Sequence, residues 1–473
     1  MVFSSTVFLF IFLPVTYVLY LLMPGIKAKN VWLIVISLLF YAFGEPLTVF
    51  LMVFSVLANY IFARLIASNK HKKPWLAAAV IFDLGILGVF KYAGFFVQTI
   101  NAVLPVALPV PQIRLPIGIS FFTFQILSYV IDVYRDSSLV QKKFGNVLLY
   151  ISLFPQLIAG PIVKYYDIAK QIGERRITAE ETALGIRRFI TGLSKKVLIA
   201  NTVGAAADAM FALSAENMSA PTCWLGAVAY TLQIYYDFSG YSDMAIGLGH
   251  MLGFAFKENF DHPYIAASMQ DFWRRWHISL STWFKEYLYI PLGGNRKGRL
   301  RTAVNKIIVF FCTGLWHGAN MTFVVWGLLH GLFLMLESYK AIPLEKLSAK
   351  PLRPLRHIYT LLVVTVTFVI FRAETLTKAW QYIAAMFTGF TPNAASMSAF
   401  SQQLSPLFIT AALTAVVFSA PVSAFVRGRA ATLTKGRRAA ASACAYAVSL
   451  VMLVLCIINL ACATFNPFIY LQF

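Results

Sequence analysis

The chain has 473 residues, of which 59% are hydrophobic and only 12% charged. Soluble domains carry about 25% charged residues, so a disordered chain, a coiled coil and an ordinary cytosolic enzyme are excluded. The net charge is +21, and in a polytopic membrane protein such an excess belongs first to cytoplasmic loops.

Uncharged or nearly uncharged runs fall near residues 5–24, 30–44, 46–63, 75–97, 115–134, 147–163, 197–213, 217–236, 244–256, 307–336, 357–371, 381–426 and 439–465. Counted as candidate spans, they predict an all-α polytopic membrane protein with about eleven transmembrane helices. The runs that are short or broken by Gly and Pro are expected to be re-entrant, because irregular backbone at membrane depth is tolerated only inside protein. No stretch reads as a soluble domain, so residues 1–473 are expected to form a single transmembrane domain. The first run lacks a basic leader and a small-residue cleavage site, and is read as a retained helix.

The basic clusters set the expected orientation. Lys27 and Lys29, residues 64–73, 135–143, 340–356 and 427–438 are assigned to the cytoplasm. Arg438 is the last charged residue. One uncharged helix follows it, so the terminal NPFIYLQF is expected at the extracytoplasmic face. The bases lie in short clusters, with no separate basic domain, so nucleic acid is not the expected partner. Cys223, Cys312, Cys444, Cys456 and Cys462 show no metal-ligand or redox spacing and read as buried thiols. No metal is expected.

Residues 257–306 break the apolar pattern, with aromatics interleaved among bases in DFWRRWHISLSTWFKEYLYIPLGGN. That composition suits a helix lying in the headgroup zone. His277 lies in this stretch. His317 lies 40 residues further on, inside the charge-free run 307–336. An ionisable side chain at membrane depth is costly and marks a functional site by default. Gly314, Trp316 and Gly318 surround His317, and small residues there leave room for close helix contact or a ligand. A neutral imidazole can take a proton from a hydroxyl and return it; hydrogen-bonded packing is the competing role. His330 reads as an interhelical hydrogen-bonding residue. Asp237 and Asp243, in YYDFSGYSDMAIGLG, need partners in an apolar segment, and Arg274 and Arg275 are the candidates. No phosphate-binding loop, dinucleotide fingerprint, zinc-protease or serine-hydrolase motif is present.

At DFWRRWHISLSTWFKEYLYIPLGGN and TGLWHGAN the sequence resembles the membrane-bound O-acyltransferase (MBOAT) superfamily, and within it the bacterial branch containing alginate O-acetylation protein I. LPIGISFFTFQILSYVIDVYR, FPQLIAGPIVKY, IFRAETLTKAW and NPFIYLQF carry the resemblance along the whole chain. It implies an MBOAT-like ring of helices, with re-entrant and interfacial pieces around a central tunnel, in the bacterial inner membrane. It implies His317 as the catalytic histidine, with Trp316 beside it, and His277 as the second polar position. It implies acetyl-CoA as donor, and transfer of the acetyl group across the membrane for O-acetylation of a secreted polysaccharide such as alginate. The partners implied are an extracytoplasmic acetyltransferase with a Ser-His-Asp site and the polysaccharide secretion machinery. D-alanyl, peptidoglycan and cellulose acylation fit the same motifs, and a transporter or flippase is the alternative of another class. Tyr470, in the terminal aromatic motif, is expected to act as an acyl relay. Arg296, Lys297, Arg299 and Arg301 are candidates for the coenzyme A phosphates, or for anionic lipid.

Overall fold

The computed structural model describes residues 1–105, 107–432, 434–462 and 468–469. Every regular element among them is a helix, with no strand. Among the described residues, six helices are long and apolar enough to cross a membrane: Gly25–Ala42, Thr48–Ser68, Lys72–Val103, Met321–Ser338, Arg353–Arg372 and Lys435–Cys462. A seventh span is available if Ala394–Gln403 and Pro406–Phe418, bent by 69°, count as one.

The difference from about eleven has a local cause. The apolar runs 217–236 and 244–256 form one helix, Ala220–Leu252, because both intervening carboxylates are ion-paired. The run 147–163 breaks into the short helices Phe144–Ser152 and Phe154–Leu157, at a proline in the first turn of the second. An apolar run is thus as often buried protein as a span.

The chain divides into two units. The first comprises residues 1–189 and 242–257. Its core is aromatic: Phe12 lies 5.4 Å from both Phe40 and Phe154, ring centre to ring centre. Gly185 and Gly247 bring backbones together. A Cβ added to either would stand 2.5 Å from the other's carbonyl oxygen, so no larger residue fits. The buried Tyr20 hydroxyl donates to the Leu252 carbonyl at 2.6 Å and accepts from Arg175 Nε at 2.9 Å.

The second unit comprises residues 190–241 and 258–469. Its centre is a helical hairpin, Gly298–His317 followed by Met321–Ser338. A Cβ on Gly314 would lie 2.3 Å from the Phe323 carbonyl, and one on Gly327 2.3 Å from the Phe310 carbonyl. The two helices therefore touch backbone to backbone. Gly318 leaves the helix in an extended conformation. Asn320 then caps the second helix, its side chain accepting from Thr322 N–H at 3.1 Å. This turn sets His317 at a helix end, facing the interior.

Candidate active site

His317 is 2% exposed and His277 fully buried, and their rings stand 6.4 Å apart. The indole of Trp316 stands beside both, 5.6 Å from His277 and 5.0 Å from His317. Trp326 and Phe371 complete the walls, each edge-on to His317 at 5.1 and 5.2 Å. Phe238 meets His277 edge-on at 4.7 Å. Of the residues predicted from the sequence, His277, Trp316 and His317 are brought together across 40 positions, walled by aromatic rings.

His277 is held in an unusual way. It adopts left-handed backbone angles, φ 44° and ψ 55°, a conformation uncommon outside glycine. It stands at the break between the helices Met269–Arg275 and Ile278–Phe284. The break is pinned by two backbone bonds, Ile278 N–H to Asn259 O and Asp261 N–H to Arg275 O, both 2.9 Å. Asn259 Oδ1 also accepts from Ser279 N–H at 3.1 Å and Ser279 Oγ at 2.8 Å, which identifies that atom as the amide oxygen. His277 Nδ1, 3.2 Å away, must then donate to it. The basic lone pair is assigned to Nε2. Burial pushes this imidazole below its ordinary pKa, which keeps the ring neutral.

His330 is occupied on both nitrogens. Trp273 Nε1–H donates to Nδ1 at 3.2 Å, and Nε2 bonds Thr367 Oγ1 at 3.0 Å. Its interhelical role follows from those two bonds.

The carboxylates do not find the arginines proposed for them. Asp237 pairs with Lys196 at 2.5 Å, and Asp243 pairs with Arg188 at 2.6 Å. Arg275 instead binds Asp271 at 3.0 Å and Asp261 at 3.4 Å, and Arg274 is exposed. Arg275 thus braces the segment before His277. Sequence reasoning missed Asn259, Lys196 and Arg188. Lys196 had a signal, a base at the edge of the apolar run 197–213; Asn259 had none, since its role is made by a contact 18 residues away. Tyr470 lies outside the described residues.

A cavity of about 190 Å³ runs beside the helix that carries His317. Trp273, Phe310 and Thr313 line it, with Lys285 and Lys306. Thr313 is one turn from His317, while Lys306 is eleven residues away, about 16 Å along the helix. Arg299 lies in the first turn of that helix, its guanidinium over the Tyr339 ring at 5.2 Å.

Residues 9–371 match the MBOAT, membrane-bound O-acyltransferase family. The chain belongs to that family. It is 45% identical over 396 residues to the probable alginate O-acetylase AlgI of Azotobacter vinelandii, covering 82% of this chain and 78% of that protein. It is 37% identical over 421 residues to the peptidoglycan O-acetyltransferase of Helicobacter pylori, covering 82% and 80%. It is 28% identical over 268 residues to the teichoic acid D-alanyltransferase of Bacillus subtilis, covering 53% and 65%. This multi-pass membrane protein is an O-acyltransferase.

Proposed function

We propose that this acyltransferase takes an acetyl group from cytosolic acetyl-CoA and passes it across the bacterial inner membrane for O-acetylation of a secreted polysaccharide such as alginate. The observation that carries the reading is the pair of buried histidines 6.4 Å apart, of which His317 ends a helix that flanks an apolar cavity. The relatives that supply the acetyl and alginate assignments match most of the chain.

His317 acts as general base. It takes the proton of an attacking hydroxyl as that oxygen bonds to the thioester carbonyl carbon. The tetrahedral intermediate collapses, the carbon–sulfur bond breaks, and the protonated imidazole returns its proton to the coenzyme A sulfur. His277 offers its Nε2 lone pair as an acceptor that orients the donor. Trp316 keeps the space between them dry. The attacking hydroxyl is that of Tyr470, which becomes an acetyl ester and hands its acetyl to an extracytoplasmic acetyltransferase with a Ser-His-Asp site. Lys285 and Lys306, at the cavity, suit the donor phosphates better than the outlying Arg296, Lys297, Arg299 and Arg301.

The test is transfer of radiolabel from acetyl-CoA by purified protein. His317→Ala should lose about 10²–10⁴-fold in rate, and Tyr470→Phe should leave no labelled protein intermediate. Unchanged product in His317→Ala overturns the catalytic assignment, and full polysaccharide acetylation in Tyr470→Phe overturns the relay.

A further inference from the structure

One buried ion pair has no part in the chemistry at the histidines. Lys196 and Asp237 are 2% and 1% exposed and meet at 2.5 Å. Burying both charges costs several kcal/mol per ion, roughly offset by their attraction, so such a pair is weak evidence of a stabilising role. Ionisable groups at such depth point to function.

Its geometry is built. Lys196 lies in a π-helical turn, Lys195–Ala200, a distortion frequent at functional sites. The helix bearing Asp237 packs closely on it through Gly240, where an added Cβ would stand 2.8 Å from the Gly192 carbonyl and 3.2 Å from Lys196 N. Gly240 is three residues from Asp237 and so on the same helix face.

The pair has a third member, from the end of the chain. Ile469 N–H donates to Asp237 Oδ2 at 2.8 Å. The Lys196 ammonium sits 4.8 Å from the centre of the Phe468 ring, and Tyr241 meets the same ring edge-on at 4.8 Å. Phe468 is 1% exposed. One carboxylate thus binds a lysine with one oxygen and a backbone amide of the carboxy-terminal segment with the other, while the lysine covers the adjacent aromatic ring.

We propose that Lys196 and Asp237 form a clasp that docks the carboxy-terminal segment at Phe468–Ile469 and so positions the residue that follows for acyl transfer. Asp237 is followed directly by Phe238, whose ring is a wall of the His277 pocket, so the dock lies one residue from that wall. Lys196 and Asp237 are positioning residues, since neither touches the reacting atoms. The delivery half of this inference rests on the Tyr470 relay; the docking half does not.

The test digests the full-length, detergent-solubilised protein with carboxypeptidase Y and follows loss of Ile469 and Phe468 by intact mass. Acetyl transfer is measured on undigested aliquots of the same preparations, since trimming to Ile469 removes Tyr470 first. Lys196→Met and Asp237→Ala should expose the tail, with trimming at least tenfold faster and transfer reduced at least tenfold at saturating donor. Lys196→Arg should keep both near wild type. Phe468→Ala attacks the same contact from the tail, leaves the ion pair in place, and should match the two clasp variants even if those fold poorly. Unchanged trimming in Phe468→Ala and Asp237→Ala overturns the clasp. Lost transfer with unchanged trimming assigns the pair to the scaffold and also overturns it. Faster trimming with unchanged transfer retains the dock and overturns delivery through Tyr470.

Discussion

His317 and His330 sit on the two arms of one hairpin, 2% and 0% exposed, yet their surroundings differ in kind. His330 is bound by an indole N–H on one nitrogen and a threonine hydroxyl on the other. Around His317 stand the rings of Trp316, Trp326 and Phe371. Polar neighbours fix a tautomer and spend it on packing; aromatic walls keep water out and leave room for a reactant. Burial alone does not distinguish a catalytic imidazole from a structural one.

The strongest way to break this contrast is to exchange each ring for an amide. His317→Gln should lose about 10²–10⁴-fold in acetyl transfer with little change in thermal stability. His330→Gln should do the reverse, losing about 1–3 kcal/mol of stability from unmet hydrogen bonds, read as a lowered unfolding midpoint. Equal rate losses would erase the distinction between the two arms. The second probe is Asn259→Ala, which releases His277 without removing it. A misplaced group can cost about 10²-fold, so kcat should fall by about that factor while expression holds. An unaffected kcat would mean that the left-handed turn alone holds the ring. The smallest effect comes from the hairpin itself. Gly314→Ala drives a Cβ into the Phe323 carbonyl and should cost about 1–3 kcal/mol of stability, as overpacking does; a neutral result in a thermal melt would mean the two arms can slide apart.

Much of this site could be seen in the residues alone. His317 stood out because a charge-free run makes an imidazole conspicuous, and His277 because it interrupts a basic aromatic stretch. The helical class followed from composition. The partners did not. Asp243 has Arg274 and Arg275 as its nearest arginines in sequence, yet it took Arg188, 55 residues away. Nor does composition fix the span count, since hydropathy has the same value for a side chain facing lipid and one facing protein. Lys435–Cys462 turns nearly all its apolar surface outward, whereas the middle of Ala220–Leu252 is buried on every side.

The order of residues by itself determined that this chain enters a membrane, that it is helical, and that one histidine stands where a charge is expensive. Those properties are local: they depend on the transfer cost of each side chain and on the backbone's need to satisfy its own hydrogen bonds. Which rings wall each histidine, which carboxylate holds which cation, and where Phe468 and Ile469 rest were decided only by tertiary contacts. A hydrogen bond or an ion pair is set by ångström distances between groups far apart in sequence, and no spacing along the chain encodes them.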